Sequence, residues 1–257
     1  MRKMLMMGNW KMHKKASELE SFFSRFSELT KDHTTEIDAA IDCMFAVPSP
    51  LLASAVSATN SLFAEIAAQD VHHKLEGAYT GDVSLPMITD LGVKASIIGH
   101  SERRAYHAET SELVAEKVAQ CLNQGVKPVL CVGEQLDERE KGLTEQVVTS
   151  QLIPVFKQVE NWDNVVVAYE PVWAIGTGLT ATSAQAQAVH HYIRGLIANK
   201  YGKAAAEKAT ILYGGSAKPG NIAELVSQPD IDGGLVGGAS LSPEDFAAML
   251  INALATI

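Results

Sequence analysis

A carboxylate, an imidazole, an ammonium group and two glycine pairs occupy one kind of place in this 257-residue chain, just after a short apolar run. Glu170 follows Val165-Val166-Val167-Ala168-Tyr169, β-branched and uncharged as a strand buried on both faces requires, and Pro171 ends that run. A carboxylate at a strand tip can act as a general base. Beyond it, Val172, Trp173, Ala174 and Ile175 form apolar surface between stiff Pro171 and the pliant Gly176 and Gly178, a loop able to close over a ligand and exclude water. The same residues also fit an ordinary strand-to-helix connection with a solvent-facing Glu.

Asn9 and Lys11, two residues apart in Gly8-Asn9-Trp10-Lys11, suit a developing oxyanion or a phosphate, although a surface Lys beside a structural Asn has the same sequence. His100 follows Ile97-Ile98-Gly99, where an imidazole can donate to or accept from a substrate oxygen. Ser101 and Glu102 begin a short helix whose N-terminus disfavours a positive charge on His100, and Glu102 is also placed to pair with Lys11. Tyr213-Gly214-Gly215-Ser216 and Val236-Gly237-Gly238-Ala239-Ser240 supply closely spaced backbone N–H groups. Either glycine pair alone is a turn; together they make an anion nest for phosphate.

The elements that must hold these residues are short apolar runs at 4–8, 43–47, 62–67, 95–98, 128–132, 165–169, 211–213 and 234–236, separated by stretches of helical period. Residues 17–29 place Leu19, Phe22, Phe23, Phe26 and Leu29 on one helix face, and residues 110–122 do so with Leu113, Val114, Val118 and Leu122. Ser242-Pro243-Glu244-Asp245 begins the last helix with an N-cap and a first-turn Pro. This alternation predicts a (β/α)₈ barrel, and a doubly wound sheet scans similarly. In a barrel, functional residues fall after strands, as these do. The expected organisation is a single barrel domain over residues 1–257, with no linker.

Composition excludes other classes. A net charge of −9 and a pI near 5.4, with no basic cluster longer than Lys14-Lys15 or Arg103-Arg104, argue against nucleic-acid binding. An anionic ligand therefore needs local attraction from Lys11 and backbone N–H groups. Cys43, Cys121 and Cys131 are odd in number and lack metal-ligand spacing, which fits reduced thiols in the cytosol. No targeting segment is read at the N-terminus, and the uncharged stretch 171–193 is too polar to span a membrane. Gly176-Thr177-Gly178-Leu179-Thr180-Ala181 fits a dinucleotide pattern, but no strand leads into the first Gly and no acid follows until Glu207. The His72-His73 and His190-His191 pairs are adjacent, a poor metal face, and are expected to be exposed.

Gly8-Asn9-Trp10-Lys11, Gly77-Ala78-Tyr79-Thr80-Gly81, Gly99-His100-Ser101-Glu102-Arg103-Arg104, the segment 168–178, Tyr213-Gly214-Gly215-Ser216 and Leu235-Val236-Gly237-Gly238 stand in the order of a known set. On these motifs the whole chain resembles the triosephosphate isomerase family. The resemblance implies cytoplasmic interconversion of dihydroxyacetone phosphate and glyceraldehyde 3-phosphate, in glycolysis and gluconeogenesis, without cofactor or metal. It implies Glu170 as the base, neutral His100 as the electrophile, and Lys11 and Asn9 as stabilisers of the enediolate. Gly176, Ser216, Gly237 and Gly238 would grip the phosphate, with Ser101, Glu102 and Cys131 in support. It also implies a homodimer in which the loop 77–84 inserts Thr80 beside the partner's copies of Asn9 and Lys11. The chain departs from the family pattern at Asp82, where Glu is usual, and at Ala217 and Ser242. Two other readings of the residues stand beside this one: a phosphate-binding aldolase using Lys11 as a Schiff-base nucleophile, and a catalytically silent barrel that only binds.

Overall fold

The computed structural model describes residues 2–175 and 180–257. Eight parallel strands, β1 (Met4–Asn9), β2 (Ile41–Val47), β3 (Ala64–Ala68), β4 (Ala95–Ile98), β5 (Lys127–Val132), β6 (Val166–Tyr169), β7 (Thr210–Tyr213) and β8 (Gly233–Val236), close into a barrel in sequence order. Met4 lies opposite Ile41 on one side of β1 and Leu5 opposite Gly233 on the other, which closes the ring. The eight apolar runs expected from the sequence are these strands. β3 starts at Ala64 rather than Leu62, because the Leu62 N–H is taken by the Thr59 carbonyl in a turn closing the preceding helix.

Strand residues alternate between two apolar layers, as the period of two dictates. Leu5, Met7, Met44, Ile97, Val129 and Leu212 fill the barrel interior, while Met6, Phe45, Ile98, Leu130, Val167 and Ile211 face the surrounding helices. The helix Leu19–Thr30 buries Leu19, Phe22, Phe23 and Phe26, as its pattern predicts. The last helix, Pro243–Leu254, is capped by Ser242, whose side chain accepts from the Asp245 N–H. All three cysteines are buried and free. No helix among the described residues is long and apolar enough to cross a membrane.

His190 contradicts the expectation of exposure. It is fully buried on the helix Ser183–Tyr201, in line with Ala186, Val189 and Ile193, whereas the neighbouring His191 points outward and meets Asp230. Helical geometry separates adjacent residues by about 100°, so a His pair divides between core and solvent. Burial drives the His190 pKa down to about 3, keeping it neutral between the rings of Tyr169 and Tyr213.

Lys117 is a second buried polar residue that helical patterning conceals. Its ammonium lies 2.7 Å from Asp70 and 2.6 Å from Glu109, and Arg103 reaches the same two carboxylates. Burial alone would raise the Glu109 pKa, but Lys117 and Arg103 outweigh it and hold the carboxyl below its ordinary range. Lys117→Met leaves these two acids to Arg103 alone, and unfolding free energy at neutral pH should fall by about 3 kcal/mol, read as a lower denaturant midpoint. A depressed carboxylate stabilises above its unfolded pKa and loses that stabilisation as pH falls through its folded pKa. The difference between wild type and variant should therefore shrink in acid.

Candidate active site

The β1 end is organised by Trp10. Its indole is fully buried against Phe22, Phe23 and Phe45, with ring centroids 4.9, 5.7 and 5.8 Å away, and its N–H donates to the Ser240 carbonyl. With Trp10 anchored outward, its neighbours Asn9 and Lys11 turn to the barrel mouth. Lys11 has a left-handed backbone, φ 49°, which costs a side-chain-bearing residue about 1–3 kcal/mol and needs external support. Gln69, just after β3, gives it: its amide donates to the Lys11 carbonyl at 2.8 Å, the Ala46 carbonyl at 3.1 Å and the Asn9 side-chain oxygen at 3.3 Å. The Lys11 N–H also donates to that Asn9 oxygen at 3.0 Å. Gln69 escaped the sequence reading because its partners lie far away in the chain.

The Lys11 ammonium meets Glu102 Oε1 at 2.5 Å, the pairing the sequence left open. Its side chain runs beside Gly237, where an added Cβ would lie 3.6 Å from Lys11 Cε. Lys11 thus joins the β1 end to the glycine turn after β8. That turn enters the 3-10 segment Gly238–Leu241, whose first N–H groups have no intrahelical acceptor, an arrangement that suits an anion.

Glu170 follows β6 directly and is 2% exposed. Its close packing demands Gly133 on the adjacent strand end, where a Cβ would sit 1.7 Å from the Glu170 carbonyl oxygen. Oε2 accepts from the Ser101 N–H at 2.9 Å, and Oε1 lies 2.9 Å from His100 Nε2 and 3.3 Å from the Ser101 hydroxyl. Burial raises the Glu170 pKa, but His100, the Ser101 N–H and Lys11 prevail and set it below the ordinary carboxylate range. Taking a substrate proton requires one oxygen to leave these donors.

His100 shows how far the neutral-ring expectation holds. The Glu102 N–H donates to Nδ1 at 3.2 Å, so the neutral ring carries its hydrogen on Nε2, facing Glu170. Burial disfavours the imidazolium, yet the adjacent Glu170 carboxylate overrides it and lifts the His100 pKa above its usual value. The helix N-terminus alone therefore does not set the charge. Once Glu170 takes up a proton the opposing cause vanishes, and burial and the helix terminus both favour the neutral donor.

A cavity of about 490 Å³ collects Asn9, Lys11, His100, Glu170, Ser216, Gly237 and Gly238, with His13, Lys218 and Asp245 also lining it. Seven of the site residues expected from the sequence are thus brought together. Ser101, Glu102 and Cys131 are not on the cavity wall: Ser101 and Cys131 line the space behind Glu170, and Glu102 pairs with Lys11; burial beside Glu170 pushes the Cys131 thiol well up. Gly176 lies outside the described residues. Glu134, two residues after β5, was not expected: it is fully buried and accepts from Tyr169 Oη at 3.1 Å, Trp173 Nε1 at 3.0 Å and Thr144 Oγ1 at 3.3 Å. It anchors the start of the loop after Glu170.

The triosephosphate isomerase family model matches residues 4–253. The chain belongs to the triosephosphate isomerase family. It is similar to individual members over nearly its whole length: 48% identity over 254 residues to a triosephosphate isomerase of Xanthomonas campestris, covering 97% of both chains. The Thermus thermophilus triosephosphate isomerase is 47% identical over 252 residues, 97% of this chain and 98% of the other. That of Alkaliphilus oremlandii is 45% identical over 252 residues, 97% and 99%. Family membership fits a carboxylate, an imidazole, an ammonium group and two glycine turns that line one cavity.

Proposed function

We propose that Glu170, His100, Lys11 and Asn9 divide the chemistry of the triosephosphate isomerase reaction among them. The protein interconverts dihydroxyacetone phosphate and D-glyceraldehyde 3-phosphate, an intramolecular aldose–ketose isomerisation of glycolysis. In the ketose-to-aldose direction, Glu170 removes a proton from C1, and the C–H electrons form the enediolate, with charge on the C2 oxygen. His100 donates Nε2–H to the oxygens where charge develops, and Lys11 and Asn9 stabilise the same charge. His100 gives its Nε2 proton to the C2 oxygen and takes the C1 hydroxyl proton in return, and Glu170 then returns a proton to C2 as the C1 carbonyl forms. The phosphate binds at Ser216, Gly237 and Gly238, with Lys11 beside it and Gly176 in the loop. Closure of that loop keeps water from the enediolate phosphate, which would otherwise eliminate phosphate. The carrying observation is the Glu170–His100 pair at 2.9 Å, walling the cavity that also holds Lys11 and both glycine turns. Conversion of dihydroxyacetone phosphate in deuterated water tests this reading. Deuterium at C2 of the aldose product is expected; folded protein that neither interconverts the isomers nor exchanges deuterium into them would overturn it.

The reading extends to residues 1–257 as one barrel domain, working in the cytoplasm and in gluconeogenesis as well, and to a homodimer. Exposed apolar side chains support the dimer. Met12 is 94% exposed directly after Lys11, Tyr106 is 81% exposed, and Tyr79 and Met87 project from the segment after β3. These follow β1, β3 and β4, on one side of the barrel, and the loop 77–84 carries Thr80 there. His72 lies 3.7 Å from Asp82, and Tyr79 packs on its ring. Met12→Asp should place a charge in the contact and convert the dimer to monomers in sedimentation velocity; a wild-type species that sediments as a monomer would remove the dimer.

A further inference from the structure

Arg104 stands apart from the other arginines. Arg2, Arg25, Arg103, Arg139 and Arg194 each have a carboxylate within 4.0 Å. Among the described residues Arg104 has none, although its guanidinium is largely buried. It donates instead to three neutral acceptors: the Gly99 carbonyl at 2.8 Å, the Ser111 hydroxyl at 3.1 Å and the Cys131 carbonyl at 3.2 Å. Its seat is cut to fit. Gly99 has φ 69°, and a Cβ there would lie 3.1 Å from Arg104 Nη2 and under 3.0 Å from Val114. A buried cation without a counter-ion is costly unless something uses its charge.

Behind Glu170 lies a second cavity, of about 220 Å³, lined by Ser101, Arg104, Gln135, Glu138, Gln151 and Glu170 among others. Glu170 is therefore the partition between this rear space and the substrate cavity, since it lines both. We propose that Arg104 is a positioning residue for Glu170: its guanidinium fastens the β4 and β5 ends that flank the carboxylate and sets a positive charge behind it. This keeps the base ionised although it is only 2% exposed. The charged and titratable groups around Glu170 are His100 and Glu102 after β4, Lys11 after β1, Cys131 on β5, Glu134 after β5, and Arg104 and Glu138 at the rear. Glu109 also acts on Arg104. Burial lowers the Arg104 pKa, while Cys131, Glu170 and Glu109 oppose that effect.

The inference rests on Glu170 being the base, and its test is a carboxyl titration that needs no turnover. In full-length protein with ¹³C-labelled glutamate, the Glu170 resonance is assigned by its loss in Glu170→Gln. Arg104→Gln should raise the Glu170 midpoint by about one unit and lower kcat roughly tenfold with KM little changed. Arg104→Lys should restore the midpoint but not the melting temperature, because it keeps the charge and loses the three-way fork. An unmoved midpoint in folded Arg104→Gln would overturn the proposal. Should that variant fail to fold, the Arg104 Nε–H resonance of the otherwise unaltered protein is followed instead. It should show an inflection at the Glu170 midpoint that disappears in Glu170→Gln, and a flat profile would overturn the proposal. Wild-type turnover in Glu170→Gln would refute the base assignment itself, a separate result.

Discussion

Glu170→Asp should slow isomerisation about a hundredfold while leaving KM within a few-fold of wild type. Shortening the side chain by one methylene draws the carboxylate back by about 1 Å, enough to spoil a geometry in which reacting atoms must lie near contact. The effect has a structural counterpart. Glu170 is held from both sides, by the Ser101 N–H at 2.9 Å and His100 Nε2 at 2.9 Å, and the glycine at 133 sets its backbone against the neighbouring strand. The backbone cannot advance to compensate. Steady-state kinetics on both substrates checks the expectation; an Asp variant with wild-type kcat would mean that the proton passes to another group.

Lys11→Ala should lower kcat/KM by about two to three decades and weaken competition by inorganic phosphate in parallel, since one ammonium serves both the phosphate and the developing oxyanion. The net charge of −9 makes the loss larger than it would be in a neutral protein, because the overall field repels the anion. Stability should follow the backbone rather than the charge. The left-handed backbone at Lys11 is strained for Ala as well, but Lys11→Gly should relieve that strain while abolishing the charge. A Gly variant more stable than the Ala variant, with both equally impaired, separates the two roles. Unaltered phosphate inhibition in both would remove Lys11 from the binding site.

The sequence exposes the fold and most of the site because their signals are local. Eight apolar runs fix the strands, and Asn9, Lys11, His100, Glu170, Ser216 and the turn at Gly237 each follow one of them within a few residues. What stays hidden is joined across the chain. Gln69 supports Lys11 from 58 positions away, and Lys117 reaches Asp70 over 47. Glu134 reads as a loop acid until Tyr169 and Trp173 are seen to donate to it. His190 shows a different failure: adjacency to His191 suggests one shared environment, whereas the helix turns the two apart. At His100 the local helix argument identifies one influence correctly, but the net charge state depends on Glu170, 70 residues later, which only the folded barrel brings near.

The most direct measurement is isomerisation of glyceraldehyde 3-phosphate by the purified protein beside Glu170→Gln, with dihydroxyacetone phosphate formation as the readout. The expected result is rapid turnover by wild type and a fall of about 10²–10⁴-fold in the variant, which removes the basic carboxylate but keeps its shape. The variant should retain its fold and its affinity for phosphate. Equal turnover by the two proteins would contradict Glu170 as the base.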